Sequence, residues 1–137
     1  MKKNLLTKIR NRKGFTLAEL LIVVAIIGVL VAVSIPIFTA QLEKAREATD
    51  LANMRAAKAA AVAEYLDDDS ATWTKKYYDA AKGTLVAEKP EGYGKGTTTE
   101  GSASNKEIGY DPKGDYAGKV IAITAVTKDG GVQMTWE

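Results

Sequence analysis

The sequence predicts an α+β fold, with one long N-terminal helix followed by a smaller antiparallel sheet. Three observations predict it. Residues Leu20 to Ala40 form an apolar run of 21 residues without a charge, long enough to be helical from end to end. From Thr39 to Leu66 there is no Gly or Pro, and nine alanines lie between Ala45 and Ala63. Near the C-terminus, two stretches rich in β-branched and aromatic residues flank Lys128-Asp129-Gly130-Gly131, a hairpin signal.

Composition narrows the chemistry before any element is placed. The 137 residues include no His and no Cys. The common zinc, haem and iron–sulfur ligand sets, Ser-His and Cys-His catalytic pairs, and disulfides are therefore excluded, and no cofactor is expected. Of the 19 Lys and Arg residues, six (Lys2, Lys3, Lys8, Arg10, Arg12, Lys13) fall in residues 1–14 with no acid among them, which leaves 13 bases against 17 acids in the remainder. The body of the chain is acidic, so the net charge of +2 does not indicate a nucleic-acid surface.

The basic cluster belongs with the apolar run next to it. Glu19 is the only charged residue between Lys13 and Glu43. As a helix the run from Leu20 to Ala40 spans roughly 30 Å, the thickness of a bilayer's hydrocarbon core. Bases before it and acids beyond it place the N-terminus in the cytoplasm and the rest outside. Such a start has three readings. One is a permanent signal anchor. Another is a secretory signal peptide cut after Ser34, although Pro36 would then lie second in the mature chain and Ile35, Ile37 and Phe38 continue the apolar character.

The third reading comes from Lys13-Gly14-Phe15-Thr16-Leu17-Ala18-Glu19-Leu20, where an acid stands inside an otherwise apolar segment and a glycine sits at its edge. This string resembles the leader junction of type IV pilins. The resemblance is close from about Lys13 to Leu42 and covers the rest only in general plan. It implies a pilin-like fold whose residues 1–14 are a leader removed by a prepilin peptidase cutting after Gly14, with N-methylation of the new terminal Phe15. It further implies that residues 15–39 are the transmembrane and filament-core half of the helix, and that residues 40–137 are an extracellular head. Gly28 and Pro36 fall where the family's helix commonly has its glycine and proline, a region that can lose helical order in assembled pili.

These positions also have a physical reading of their own. A carboxylate at the bilayer centre costs on the order of 3 kcal/mol on insertion scales, so Glu19 requires a partner or a function. No base lies within the apolar run, which points to a cation on another molecule; the alternative is a carboxylate that reaches back to the cytoplasmic interface. The α-amine of Phe15 in a cut neighbour would be such a cation. Gly14 offers a peptidase an unobstructed, extended backbone, or else serves as a simple hinge. Pro36 removes an amide donor and crowds the carbonyl of Ala32, so a kink or local opening is expected there, with Gly28 marking the other end of a weakened stretch. Small residues at Ala25, Gly28, Ala32 and Ser34 would let neighbouring helices approach closely.

The same helix is expected to run from about Phe15 to Leu66, with an apolar stripe through Leu42, Leu51, Met54, Ala61, Val62 and Tyr65 facing the head. The Asp67-Asp68-Asp69-Ser70 run ends it; adjacent carboxylates diverge and read as a solvated terminator rather than a metal site. A short second helix is predicted from Ala71 or Thr72 to Lys82, from the spacing of Trp73, Tyr77, Ala80 and Ala81 and with Gly83 as its cap. Thr84 to Ala87 reads as a short strand. Pro90 to Gly118, with seven of the twelve glycines, reads as irregular loop, and Lys119–Thr127 and Val132–Trp136 as the closing strands. The aromatic residues Trp73, Tyr77, Tyr78, Tyr93, Tyr110, Tyr116 and Trp136 are assigned mostly to the core, and Asp111 to Asp115 to a polar turn in preference to a calcium loop. The family often closes its C-terminal loop with a disulfide; this sequence has to hold that loop another way.

The function implied is a structural subunit, not an enzyme: a single-pass precursor in the cytoplasmic membrane that becomes part of an extracellular pilus. Its partners would be identical copies in a helical filament, the prepilin peptidase and methyltransferase, the pilus assembly machinery and, before assembly, the membrane. A pseudopilin of a type II secretion or competence system shares the same junction. A membrane-anchored ligand-binding protein would instead keep residues 1–14 and act as a monomer.

Overall fold

The computed structural model describes residues 14–68, 72–96, 108, 110–111 and 114–137. Within these, the elements are helix α1 (Leu17–Asp67) and four strands, β1 (Lys76–Asp79), β2 (Thr84–Val86), β3 (Ile121–Val126) and β4 (Val132–Trp136). The fold is α+β and pilin-like, with one long N-terminal helix and a four-stranded antiparallel sheet of order β2-β1-β3-β4. The chain divides into two units, Met1–Thr39 and Ala40–Glu137.

In the second unit, α1 buries Glu47, Asp50, Met54, Ala57 and Ala61, a stripe with alternating steps of three and four residues that keeps one helix face on the core. Met54 and Ala61 lie there as expected, and Leu51 and Tyr65 pack at its edge. The stripe departs from the sequence expectation at its N-terminal end, where two acids, not Leu42, turn inward. Asp50 explains why an acid is placed there. Its carboxylate accepts the backbone N–H of Lys95 at 2.8 Å and of Gly96 at 2.9 Å, so the helix holds the start of the long loop by two charge-assisted bonds.

The second helix expected up to Lys82 is absent among the described residues, and strand β1 occupies its centre; Ala71, its earliest proposed start, lies outside them. Tyr77 and Tyr78 pair with Val86 and Leu85 on one side, and Tyr77 with Ala122 on the other, so sheet pairing overrides the helix-compatible spacing of Trp73, Tyr77, Ala80 and Ala81. Gly83 does take the left-handed conformation (φ 69°), but it closes the tight turn from β1 to β2, where Asp79 accepts the N–H groups of Ala81 and Lys82. Strand β2 is shorter by one residue than expected, and the predicted hairpin forms β3 and β4. Between Ile123 and Ala125 the register shifts, leaving Thr124 as an extra residue on β3.

The loop after β2 is held without a disulfide. Its glycine-rich start lies directly on the segment before β3: Gly94 N–H donates to the Lys119 carbonyl at 2.9 Å and Gly118 N–H to the Gly94 carbonyl at 2.8 Å. A Cβ on Gly94 would sit 1.9 Å from the Tyr116 carbonyl oxygen, so only glycine permits the approach. Aromatic rings complete the attachment. Tyr116 stacks on Trp136 at 4.9 Å, Trp136 meets Tyr93 edge-on at 6.1 Å, and Tyr93 meets Tyr78 at 6.2 Å. The Tyr93 hydroxyl, pushed up to about 12 by burial, donates to the Tyr78 carbonyl and accepts the N–H of Ile121. Tyr116 in the same way bonds both backbone groups of Asp111, making that stretch a polar turn; Pro112 and Lys113 lie outside the described residues. The C-terminal end is fixed by paired backbone bonds between Val120 and Glu137 and by the Lys75–Glu137 ion pair at 2.6 Å.

Burial holds the Asp50 carboxyl above the ordinary carboxylate value, against the pull of its two amide donors and of Lys95. A carboxyl with a raised value in the fold binds its proton more tightly there than in the unfolded chain. Its contribution to stability therefore grows as pH falls from neutrality through that raised value. The Lys75 hydrogen bond lowers Glu137, whose contribution is present above its ordinary value and lost as pH falls through its lowered one. Asp50→Ala should leave the buried Gly96 N–H and the half-buried Lys95 N–H without acceptors and cost about 3 kcal/mol at neutral pH, and it should abolish the gain between pH 7 and mildly acidic conditions. Denaturant titration in micelles, followed by the fluorescence of Trp73 and Trp136, checks both outcomes.

Candidate functional site

The site is the start of α1 together with its apolar segment. Gly14, Phe15 and Thr16 precede the helix, and Phe15 is 91% exposed. The Gly14–Phe15 peptide bond is thus outside any hydrogen-bonded element and open to another molecule. Among the described residues a Cβ on Gly14 would meet nothing within 4 Å, so no contact with them requires glycine there.

Thr16 caps the helix. Its Oγ1 accepts the N–H of Glu19 at 3.2 Å, while Glu19 Oε2 accepts the N–H of Thr16 at 2.9 Å. This reciprocal pair is a capping box, and it places the Glu19 carboxylate over the positive end of the helix dipole. The sequence expectation that nothing nearby supplies Glu19 with a partner is corrected: the Thr16 amide does. The signal for it is present in the sequence as Thr-Leu-Ala-Glu, the Thr-x-x-Glu spacing that opens a helix, and it is overlooked when only a cation is sought for the acid. A cut before Phe15 would leave the Thr16 amide in place, and the box with it. The negative charge itself keeps no cationic partner among the described residues.

Beyond the box the helix is apolar and uncovered. From Leu17 to Phe38 fifteen large apolar side chains are between 46% and 80% exposed. α1 is the described helix long and apolar enough to cross a membrane. The helix is continuous through Gly28 and Pro36. Nearby hydroxyls join the backbone network: Ser34 Oγ donates to the Leu30 carbonyl at 2.7 Å and Thr39 Oγ1 to the Pro36 carbonyl at 3.0 Å. Gly28 has open space around it, as the exposed Ala25, Ala32 and Ser34 do along the same segment. Glu19 and Thr16 are thus brought together, while Gly28 and Pro36 stand apart from them on the bare helix.

Comparison with known proteins decides what this arrangement belongs to. A family model described as the prokaryotic N-terminal methylation motif matches residues 9–35. Over 130 residues the chain is 32% identical to the type IV major pilin protein PilE of Neisseria gonorrhoeae, covering 89% of this chain and 72% of that relative. The chain belongs to the type IV pilin family. This pilin is also 28% identical over 131 residues to the fimbrial protein EcpC of Eikenella corrodens, covering 92% of the one and 81% of the other. With a fimbrial protein of Pseudomonas aeruginosa it shares 41% identity over 58 residues, 40% of this chain and 38% of that one. No solved structure matches it. The relatives are structural pilins, and this pilin is a structural protein and not an enzyme.

The capping box yields a prediction. Thr16→Ala removes one half of it and should weaken the first helical turn by about 1 kcal/mol, which is roughly a fivefold faster amide exchange for Glu19 and its neighbours in micelles. Unchanged exchange would mean that the helix start is set by the apolar segment alone.

Proposed function

We propose that this pilin is made as a precursor in the cytoplasmic membrane, with its N-terminus in the cytoplasm and residues 1–14 as a leader. A prepilin peptidase cuts after Gly14 and methylates Phe15. Residues 15–39 then pass from the membrane into the core of a filament, and residues 40–137 form the head on its outside. Identical subunits, delivered by the pilus assembly machinery, polymerise through the apolar half of α1.

The observation that carries this reading is the bare apolar helix beginning two residues after an exposed Gly14–Phe15 bond, with one acid held in its first turn. Once the surroundings are apolar, the Glu19 carboxylate needs a cation. The α-amine that cleavage creates at Phe15 of a neighbouring subunit is of the right sign and lies at the right end of the helix. A contact from one subunit's Glu19 to the next subunit's Phe15 is head-to-tail, and a head-to-tail contact that does not close on itself makes a helical filament. Gly28 and Pro36 mark the stretch of α1 that opens most easily when subunits are packed or pulled, since glycine weakens a helix and proline removes one of its bonds.

Glu19→Ala tests the pairing. The variant should still be cut and methylated, but its surface filament should fall by about a hundredfold or more, because loss of one partner leaves the other's charge buried, at about 3–5 kcal/mol per contact. Electron microscopy and quantitation of sheared surface material read this out. Filaments in wild-type amount would remove Glu19 from assembly, and short trans-envelope assemblies in place of long surface filaments from the unaltered chain would favour a pseudopilin.

A further inference from the structure

Among the described residues, the head half of α1 carries a second uncovered surface. Arg55, Lys58, Ala59, Val62, Ala63 and Leu66 on successive turns line an open groove whose other wall is the buried Ile108, and Leu66 is 77% exposed. Its chemistry is graded along the helix. The two cations stand at its N-terminal end, and the residues that line it from Ala59 to Leu66 are apolar. Among the described residues neither Arg55 nor Lys58 forms an ion pair.

An occupant that complements this groove is a helix apolar along its length with a single acid at one end. This chain contains such a segment, since Glu19 is the only charge between Lys13 and Glu43 and every large apolar side chain from Leu17 to Phe38 is exposed. We infer that the groove seats the N-terminal apolar segment of a second copy of this chain, with Glu19 of that copy between Arg55 and Lys58. The inference rests on the filament reading above and adds to it a surface, an orientation and a register.

The orientation is set by the order of the groups. In the groove the cations precede the apolar residues; in the segment the acid precedes them. Charge meets charge and apolar surface meets apolar surface only if the two helices run parallel, which is also the direction in which identical subunits would leave one membrane. With Glu19 opposite residues 55–58, Ile22 lies beside Ala59 and Ile26 beside Ala63. The two copies are then offset by about 37 residues, or about 55 Å along the helix. Alanines at the contact let the axes approach to about 8 Å, close enough for Ile22 and Ile26 to bury their methyl groups. A carboxylate has roughly four acceptor sites, so the Thr16 amide, a neighbour's α-amine and the Arg55 guanidinium do not compete for one position. The groove therefore provides Glu19 with cations beyond the α-amine.

The absence of cysteine makes the register directly readable, because any thiols introduced are the only ones present. Filaments assembled in cells from full-length Ile22→Cys/Ala59→Cys subunits should give, on mild oxidation, a ladder of covalent dimers, trimers and higher multimers, since each subunit links one neighbour through Cys at 22 and another through Cys at 59. Each single variant should stay monomeric. The pair Ile26→Cys/Ala63→Cys reads the same register one turn further on, and co-expression with the wild-type chain keeps assembly independent of either variant. Filaments in which neither pair crosslinks would overturn the groove while leaving the filament reading intact. Absence of filaments from the wild-type chain would overturn that reading instead.

Discussion

An apolar helix surface left uncovered among the described residues is the constraint on which the rest depends. Fifteen large side chains between Leu17 and Phe38 keep about half or more of their surface exposed. At roughly 1.5–3 kcal/mol for each full burial, on the order of 15 kcal/mol remains available to whatever covers them. On the proposed reading a bilayer does so before assembly and other subunits do so after it, and the difference between the two environments is what polymerisation would exploit. Apolar association alone is indifferent to register. The one charge in the segment is not, because a carboxylate misplaced by one turn meets hydrocarbon and one placed correctly meets a cation. The capping box fixes where that charge sits before any partner arrives, so the helix start presents it in a defined position.

The head meets a different demand. A unit of fewer than a hundred residues with few large aliphatic side chains has to hold a long glycine-rich loop with no disulfide. It does so with polar and aromatic contacts in series: the Asp50 carboxylate on the backbone of Lys95 and Gly96, the approach of Gly94 to the segment before β3, and the rings from Tyr78 through Tyr93 and Trp136 to Tyr116. Each uses a feature that would be costly elsewhere. A buried acid is tolerated because two amide donors satisfy it, and a close backbone contact is possible because the position has no side chain.

Legibility in the sequence depends on whether the signal is local. The apolar run from Leu20 to Ala40, the alanine-rich continuation and the hairpin around Gly130-Gly131 are set by near neighbours, and α1, β3 and β4 lie where those patterns put them. The junction at Gly14, Phe15 and Glu19 is legible as a string, and the family it resembles is the family to which the chain belongs. Strand β1 is not legible. Trp73, Tyr77, Ala80 and Ala81 have helical spacing, and only pairing with β2 and β3, more than forty residues away in the latter case, turns Tyr77 and Tyr78 into a strand. The inward stripe of α1 is half legible because apolar periodicity finds Met54 and Ala61 but passes over Glu47 and Asp50, acids whose burial hydrophobicity does not explain. Thr16 escapes notice for a simpler reason: the acid three residues on reads as a charge needing a cation and not as half of a cap.

The central claim is that the apolar helix becomes the N-terminus of a subunit cut after Gly14 and retained in a filament. Intact and N-terminal peptide mass spectrometry of protein sheared from the native cell surface tests it most directly. The account predicts a chain that begins at Phe15 and carries one added methyl group. A chain beginning at Ile35 would mean that the apolar segment is a signal peptide discarded on export, and one beginning at Met1 that it is a permanent anchor; either result would contradict the filament.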